Sequence, residues 1–228
     1  NTDVLVYHGS TDAPAVDVVE TLVTGGATIV DNAFYSDFAG YLELATLDYR
    51  LAVKDATGSV TVKTYEAPLE TLGLQNLALT VLASGFLDPS QNSNGAPFGL
   101  FVALPSGGAL IPLPESTARV QVIHNSPDAL ATAVDVYLND ALLIDDFAFR
   151  TASPFIDAPA GIDFTVGIAP ANSSSSADAI ATFDYNLAAN ETYIIVASGI
   201  VNAAGYNPAP AFNLEVFAGA REAASTQG

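Results

Sequence analysis

Apolar and polar residues alternate with a period near two along most of this chain, the pattern of strands that bury one face and wet the other. Alternating or β-branched runs cover 4–8, 15–22, 48–54, 59–65, 77–86 and 98–104, and again 119–124, 133–138, 162–168, 179–184, 191–200 and 212–218. Gly, Pro, Asn, Asp and Ser punctuate them, as turns require. Shorter runs at 27–30, 41–44, 141–144 and 154–157 are expected to complete the sheets. The best helical candidate, Pro68 to Leu74, is short enough to be a single turn. The pattern predicts an all-β fold. Seven or eight short strands in roughly 110 residues is the count of a sandwich of two packed antiparallel sheets.

The same order of elements occurs twice. Val6-Tyr7-His8-Gly9-Ser10-Thr11-Asp12-Ala13 with Val16-Asp17-Val18 returns as Val122-Ile123-His124-Asn125-Ser126-Pro127-Asp128-Ala129 with Val134-Asp135-Val136. Val30-Asp31 corresponds to Ile144-Asp145, and the strand at 48–53 to that at 163–168. Leu79 to Phe86 matches Tyr193 to Ile200, and Phe98 to Val102 matches Phe212 to Val216, both at a spacing of 114 residues. Matched blocks in one order predict a tandem duplication. The junction is placed at the proline-stiffened Pro112-Leu113-Pro114, giving domains 1–114 and 115–228. The second copy inserts Ala131-Thr132-Ala133 before its Val-Asp-Val strand.

Composition narrows the chemistry. The chain has no cysteine, which removes disulfides, thiolate metal sites and a cysteine nucleophile. It has no methionine, position 1 included, which fits a removed secretory leader or an equally deliberate cut in an expressed sequence. No apolar run approaches the roughly 20 residues of a membrane span. Against 25 acidic residues stand 6 basic ones, for a formal charge of -19. Such a surface repels nucleic acid and anionic membranes. Residues 1–117 carry 13 acidic with 3 basic and residues 118–228 carry 12 acidic with 3 basic, so the charge is a general surface property suited to a salty exterior.

The V-x-H-x-S-x-D-A motif with its Val-Asp-Val strand, together with the later Ala-Ser-Gly strand, resembles the bacterial domain-of-unknown-function 4397 family in both halves. The resemblance implies an exported protein, often tandem, similar in outline to immunoglobulin-like or transthyretin-like sandwiches. It implies no activity and no functional residues. A second local likeness is Leu187 to Tyr193, which resembles the tyrosine corner of immunoglobulin-like sandwiches: Asn190 occupies a left-handed turn position and Tyr193 is placed to bond nearby backbone. The first copy has Leu79 instead.

Candidate chemistry is sparse. His8 and His124 are the only histidines, one per copy, so a zinc site of the usual kind lacks a second imidazole. The simpler reading makes each a strand-end side chain beside a turn capped by Ser10 and Asp12, or by Ser126 and Asp128. A His8-Ser10-Asp12 triad is disfavoured because residues this close in sequence rarely hold an imidazole between hydroxyl and carboxylate. Calcium is the one metal worth weighing, with Asp12 and Asp17, Asp128 and Asp135, and the Asp145-Asp146 pair as oxygen donors. Asp17 and Asp135, between valines, otherwise read as outward-facing. Asn202, Tyr206 and Asn207 on the long loop 201–210 offer an aromatic and amides to a sugar.

These observations lead to the expectation of a non-enzymatic module, secreted or at the cell surface, that binds protein or glycan there. One alternative is a subunit of a fibre assembled by edge-strand pairing, with the polar ends Asn1-Thr2 and 223–228 reaching a neighbour. Another is a carbohydrate-binding module.

Overall fold

The structure, a computed structural model, describes residues 1–225. Residues 226–228 of the C-terminal stretch named above lie outside the described residues. The chain divides into two compact units, Asn1–Ser116 and Thr117–Gly228.

Unit 1 holds β1 (Thr2–His8), β2 (Val16–Glu20), β3 (Ala27–Ala33), β4 (Phe38–Leu44), β5 (Asp48–Asp55), β6 (Thr61–Pro68), β7 (Ala78–Ser84), β8 (Gly99–Ala103) and β9 (Ile111–Pro112). They form a five-stranded sheet ordered β4-β1-β7-β8-β9 and a four-stranded sheet ordered β3-β2-β5-β6. Unit 2 holds β10 (Thr117–His124), β11 (Ala133–Leu138), β12 (Ala141–Ala148), β13 (Ile156–Pro159), β14 (Asp163–Pro170), β15 (Ala181–Asn186), β16 (Thr192–Ser198) and β17 (Asn213–Ala218). Its sheets run β13-β10-β16-β17 and β12-β11-β14-β15, the order of unit 1 without β9. The protein is all-β, with four sheets consistent with two sandwiches.

Pairing is antiparallel except for one parallel ladder per unit, β1 with β7 and β10 with β16. Both parallel ladders join a unit's first strand to its penultimate long strand, so each unit's chain returns to where it began. Alternation then buries Val4, Leu79, Val81, Leu100 and Val102 from one sheet of unit 1 against Val18, Val30, Leu51 and Val53 from the other. In unit 2 the interior is Val120, Tyr193, Ile195 and Leu214 with Phe164, and Val134, Val136, Phe147 and Ile168 beside them.

Three local outcomes differ from expectation or refine it. Glu115 and Ser116 belong to unit 1: Ser116 donates its amide to the Thr64 carbonyl, and its Oγ donates to Glu66. Thr2 is no loose end, because its Oγ1 is buried and donates to the Leu74 carbonyl at 3.0 Å. Pro68 to Leu74 folds as a turn whose amides at Leu72 and Leu74 reach the Pro68 and Leu69 carbonyls.

Candidate functional site

The duplicated motif builds a clasp at the end of each first strand. The Ser10 hydroxyl donates to the Gly85 carbonyl at 2.7 Å, and Ser126 does the same to Gly199 at 2.7 Å. Asp12 accepts the amides of Leu87 and Asp88 at 2.9 and 3.0 Å, and the Asn92 side chain at 3.0 Å. Asp128 accepts those of Val201 and Asn202 at 2.8 and 2.9 Å, and that of Leu130 at 2.9 Å. The loop amides hold both carboxyls below the usual carboxylate range, the Asp88 amide being the main cause for Asp12 and the Asn202 amide for Asp128. Each clasp therefore fastens the opening turn to the long loop some 75 residues further along the chain.

Glycine completes it. Gly85 and Gly199 have φ of 89° and 85°, and an added Cβ would stand 2.2 Å from the Pro97 and Ala211 carbonyl oxygens. Only glycine allows that crossing of two backbones. The histidines lie beneath. His8 Nε2 meets the Pro14 carbonyl at 3.2 Å and His124 Nε2 the Ala131 carbonyl at 2.7 Å. Burial lowers the His124 pKa, so the ring is held neutral. Ala131, the first of the residues inserted in unit 2, closes the short 3-10 turn Ala129–Ala131 and supplies this carbonyl. Ser10 and Ser126 are fully buried with their hydroxyls spent on carbonyls, the geometry of a brace and not of a nucleophile beside a base.

Asp17 and Asp135 correct the expectation of outward-facing residues, being 8% and 2% exposed. The bulged neighbouring strand covers them: the Asn32 amide donates to Asp17 at 2.7 Å and the Asp146 amide to Asp135 at 3.0 Å. Among the described residues, Asp135, Asp145 and Asp146 are the one group of three whose metal-ligating atoms gather within 4.8 Å. These three carboxylates are the residues able to hold a cation. Neither Asp12 nor Asp128 joins them. Unit 1 differs at two of the matching places: Asn32 replaces Asp146, both with φ near 50°, and Lys54 stands opposite Asp17 where Ala169 stands opposite Asp135.

Of the loop residues weighed for sugar, Tyr206 braces the clasp. The Tyr206 hydroxyl accepts the Ala129 amide at 2.9 Å, and the Asn202 side chain accepts the Ala204 amide at 3.1 Å. Asn207 precedes Pro208 on the same loop, through a cis peptide bond. The Tyr193 hydroxyl accepts the Ala188 amide at 3.1 Å across the turn in which Asn190 has φ 63°.

Sequence reasoning missed a surface. In unit 1, Phe34, Tyr35, Phe38 and Tyr41 are 61, 51, 63 and 61% exposed, on and just before the edge strand β4. The Tyr7 and Phe38 rings lie 4.7 Å apart. Because Val4, Val81 and Val102 point inward, the alternate residues Leu5, Tyr7, Leu82 and Phe101 face outward in register beside Phe38 and Tyr41. The wet face of this sheet is thus largely apolar. Unit 2 repeats this only in part, with Phe149 and Phe155 half-buried where Tyr35 and Tyr41 are exposed. Its amides at Arg150 and His124 repeat the contacts of Ser36 and His8, which aligns Phe34 with Ala148 and Phe38 with Ala152.

An all-β chain of two sandwiches, each clasped by a His-x-Ser-x-Asp turn, is the class that fold and site define. Residues 118–219, in unit 2, match the family model described as "Domain of unknown function (DUF4397)". No curated protein matches the sequence. Among solved structures, CBMbc (family CBM26) from Eubacterium rectale Amy13K in complex with maltoheptaose is 10% identical, with 96% of this chain and 98% of that chain covered and a TM-score of 0.28. A "putative cell adhesion protein" from Bacteroides eggerthii is 11% identical, with 95% of each chain covered and a TM-score of 0.22. Scores this low carry no argument about this chain.

Proposed function

We propose that the chain is a non-enzymatic interaction module of the cell exterior, and that its working surface is the β4 edge of unit 1, where a second copy of the chain pairs strand to strand. The two units are read as descendants of one duplicated domain, both of the family matched by unit 2. One observation carries the contact: four aromatic side chains at least half exposed line a sheet edge. Edges of this kind are normally guarded by charged residues, lysine above all, or by proline; β4 has neither lysine nor proline and carries one charge, Glu43. The matching edge of unit 2 is the four-residue β13, preceded by Pro154 and ending in Pro159.

Magnitude supports the reading. At roughly 150–250 Å² per aromatic side chain, the exposed fractions amount to roughly 400–600 Å² of apolar surface. The largest patch of an ordinary monomer is about 300–600 Å² and is often functional. A two-fold contact would double that area to about 800–1,200 Å² before the β4 backbones add theirs, close to the roughly 1,200 Å² at which specific interfaces begin. The charge of -19 opposes association and is screened by salt.

Sedimentation velocity in about 0.5 M NaCl, where the Debye length falls below ~5 Å, tests the proposal. The wild type is expected to associate with rising concentration, and Phe38→Lys with Tyr41→Lys to stay monomeric with an unchanged circular dichroism spectrum. A wild type that remains monomeric throughout would overturn self-pairing. Binding of the wild type, and not of the lysine variant, on a glycan array would then assign the rings to sugar.

A further inference from the structure

We propose that the interior of unit 1 is a binding cavity for a small, uncharged, apolar molecule no larger than a benzene ring. A space of about 90 Å³ lies between its two sheets, walled by residues that include Val4, Val18, Val30, Leu51, Val53 and Val81. The cause is compositional. Packed sheets stand roughly 10 Å apart, and large side chains must fill the gap. The chain has no methionine and no tryptophan, the flexible and the bulky fillers, and about half of the unit 1 core is valine and alanine.

The sister unit shows what filling looks like. Ala33 pairs with Val16 as Phe147 pairs with Val134, so the two occupy the same place. With phenylalanine there, the matching space in unit 2 is about 50 Å³. Both Ala33 and Phe147 line their unit's cavity.

Wall chemistry selects the ligand. Water in a cavity needs two to four polar partners, and two polar groups of this wall give it little. Glu20 is committed to the amides of Leu22, Val23 and Thr24. His8 lines the cavity with its Nδ1 buried and without a hydrogen-bond partner, whereas His124 Nδ1 accepts the Ser126 amide at 3.3 Å. Since Nε2 donates to the Pro14 carbonyl, Nδ1 is an acceptor, a single polar contact where a water needs at least two. A charged ligand would be desolvated without compensation. An apolar interior cavity of roughly 150 Å³ stays dry and takes up benzene or xenon, and at about 90 Å³ the space in unit 1 favours the smaller of the two, xenon.

The test is a ¹³C-methyl NMR titration of the full chain with xenon and with benzene. Shifts that saturate are expected at the Val4, Val18, Leu51 and Val53 methyls, with affinity at least tenfold weaker in Ala33→Phe. Should that variant not fold, Ala33→Ile carries the same contrast. Methyls that stay put up to the solubility limit of benzene, or equal shifts in wild type and a folded filled variant, would overturn the proposal.

Discussion

Replacing Gly199 by alanine should cost unit 2 far more than the addition of one methyl group suggests. Two penalties coincide there. The residue sits at φ 85°, which disfavours any side chain by roughly 1–2 kcal/mol. The new Cβ would also stand 2.2 Å from the Ala211 oxygen and 2.7 Å from its carbonyl carbon, so one backbone must retreat by about an ångström. That retreat strains the Ser126 bond to Gly199 and the amide bonds between Ile200 and Pro210 and between Phe212 and Ile200. Loss of one or two such bonds at about 1 kcal/mol each brings the total to roughly 2–4 kcal/mol. For a unit of this size that is a fall in Tm of roughly 8–20 °C. Gly205 is the internal control: its φ is 88°, but nothing lies within 4 Å of its added Cβ. Gly205→Ala should therefore cost only the strain, about 1–2 kcal/mol. Calorimetry of both variants, with hydrogen exchange to assign the loss to peptides after 117, reads the difference. Equal costs would refute the clasp as a close backbone crossing.

Three further outcomes follow from the same geometry. Burial would raise the Glu20 carboxyl, but the amides of Thr24, Val23 and Leu22 outweigh it and hold the pKa down at about 2, against an ordinary 4.5. The folded state therefore binds fewer protons there, and Glu20 stabilises unit 1 fully above pH ~4.5 and loses that contribution as the pH falls toward ~2. Melting curves of wild type and Glu20→Gln should converge over that window; a constant gap down to pH ~2 would contradict the cause given. Asp146→Asn, the residue unit 1 already uses at this place, should raise the Tm of unit 2 by a few degrees at low salt, because it relieves crowding of three carboxylates within 4.8 Å. A fall instead, reversed by added calcium, would show that a cation holds the trio together. Tyr193→Phe removes an acceptor from the Ala188 amide and should cost about 0.5–1.5 kcal/mol by urea unfolding, and no change would leave the tyrosine corner without energetic weight.

How much of this was legible in the sequence differs by residue. Period-two runs located nearly every strand, since burial of alternate side chains is a local property. The parallel ladder of β1 with β7 was not legible: the two strands lie some 70 residues apart, and nothing in either run specifies its partner. Asp17 and Asp135 deceived the alternation rule because a bulge on the next strand covers their outward side. The histidine turn was readable as a cap, but its true partners, the amides of residues 87–88 and 201–202, are remote in sequence. A signal did exist, because Ser10, Asp12 and Gly85 are repeated as a set at Ser126, Asp128 and Gly199. The exposed aromatics of β4 were hidden differently. Phe and Tyr are strand formers whether they face core or solvent, and only the comparison with Ala148 and Ala152 marks Phe34 and Phe38 as surplus to the fold.

The account stands most directly on whether the β4 edge is covered in solution. Hydrogen exchange of the full chain at low and high protein concentration, in the same salt, measures it. Slower exchange across Phe38–Leu44 at high concentration, with β13 unaffected, is the predicted result. Exchange at β4 that is fast and indifferent to concentration would contradict it.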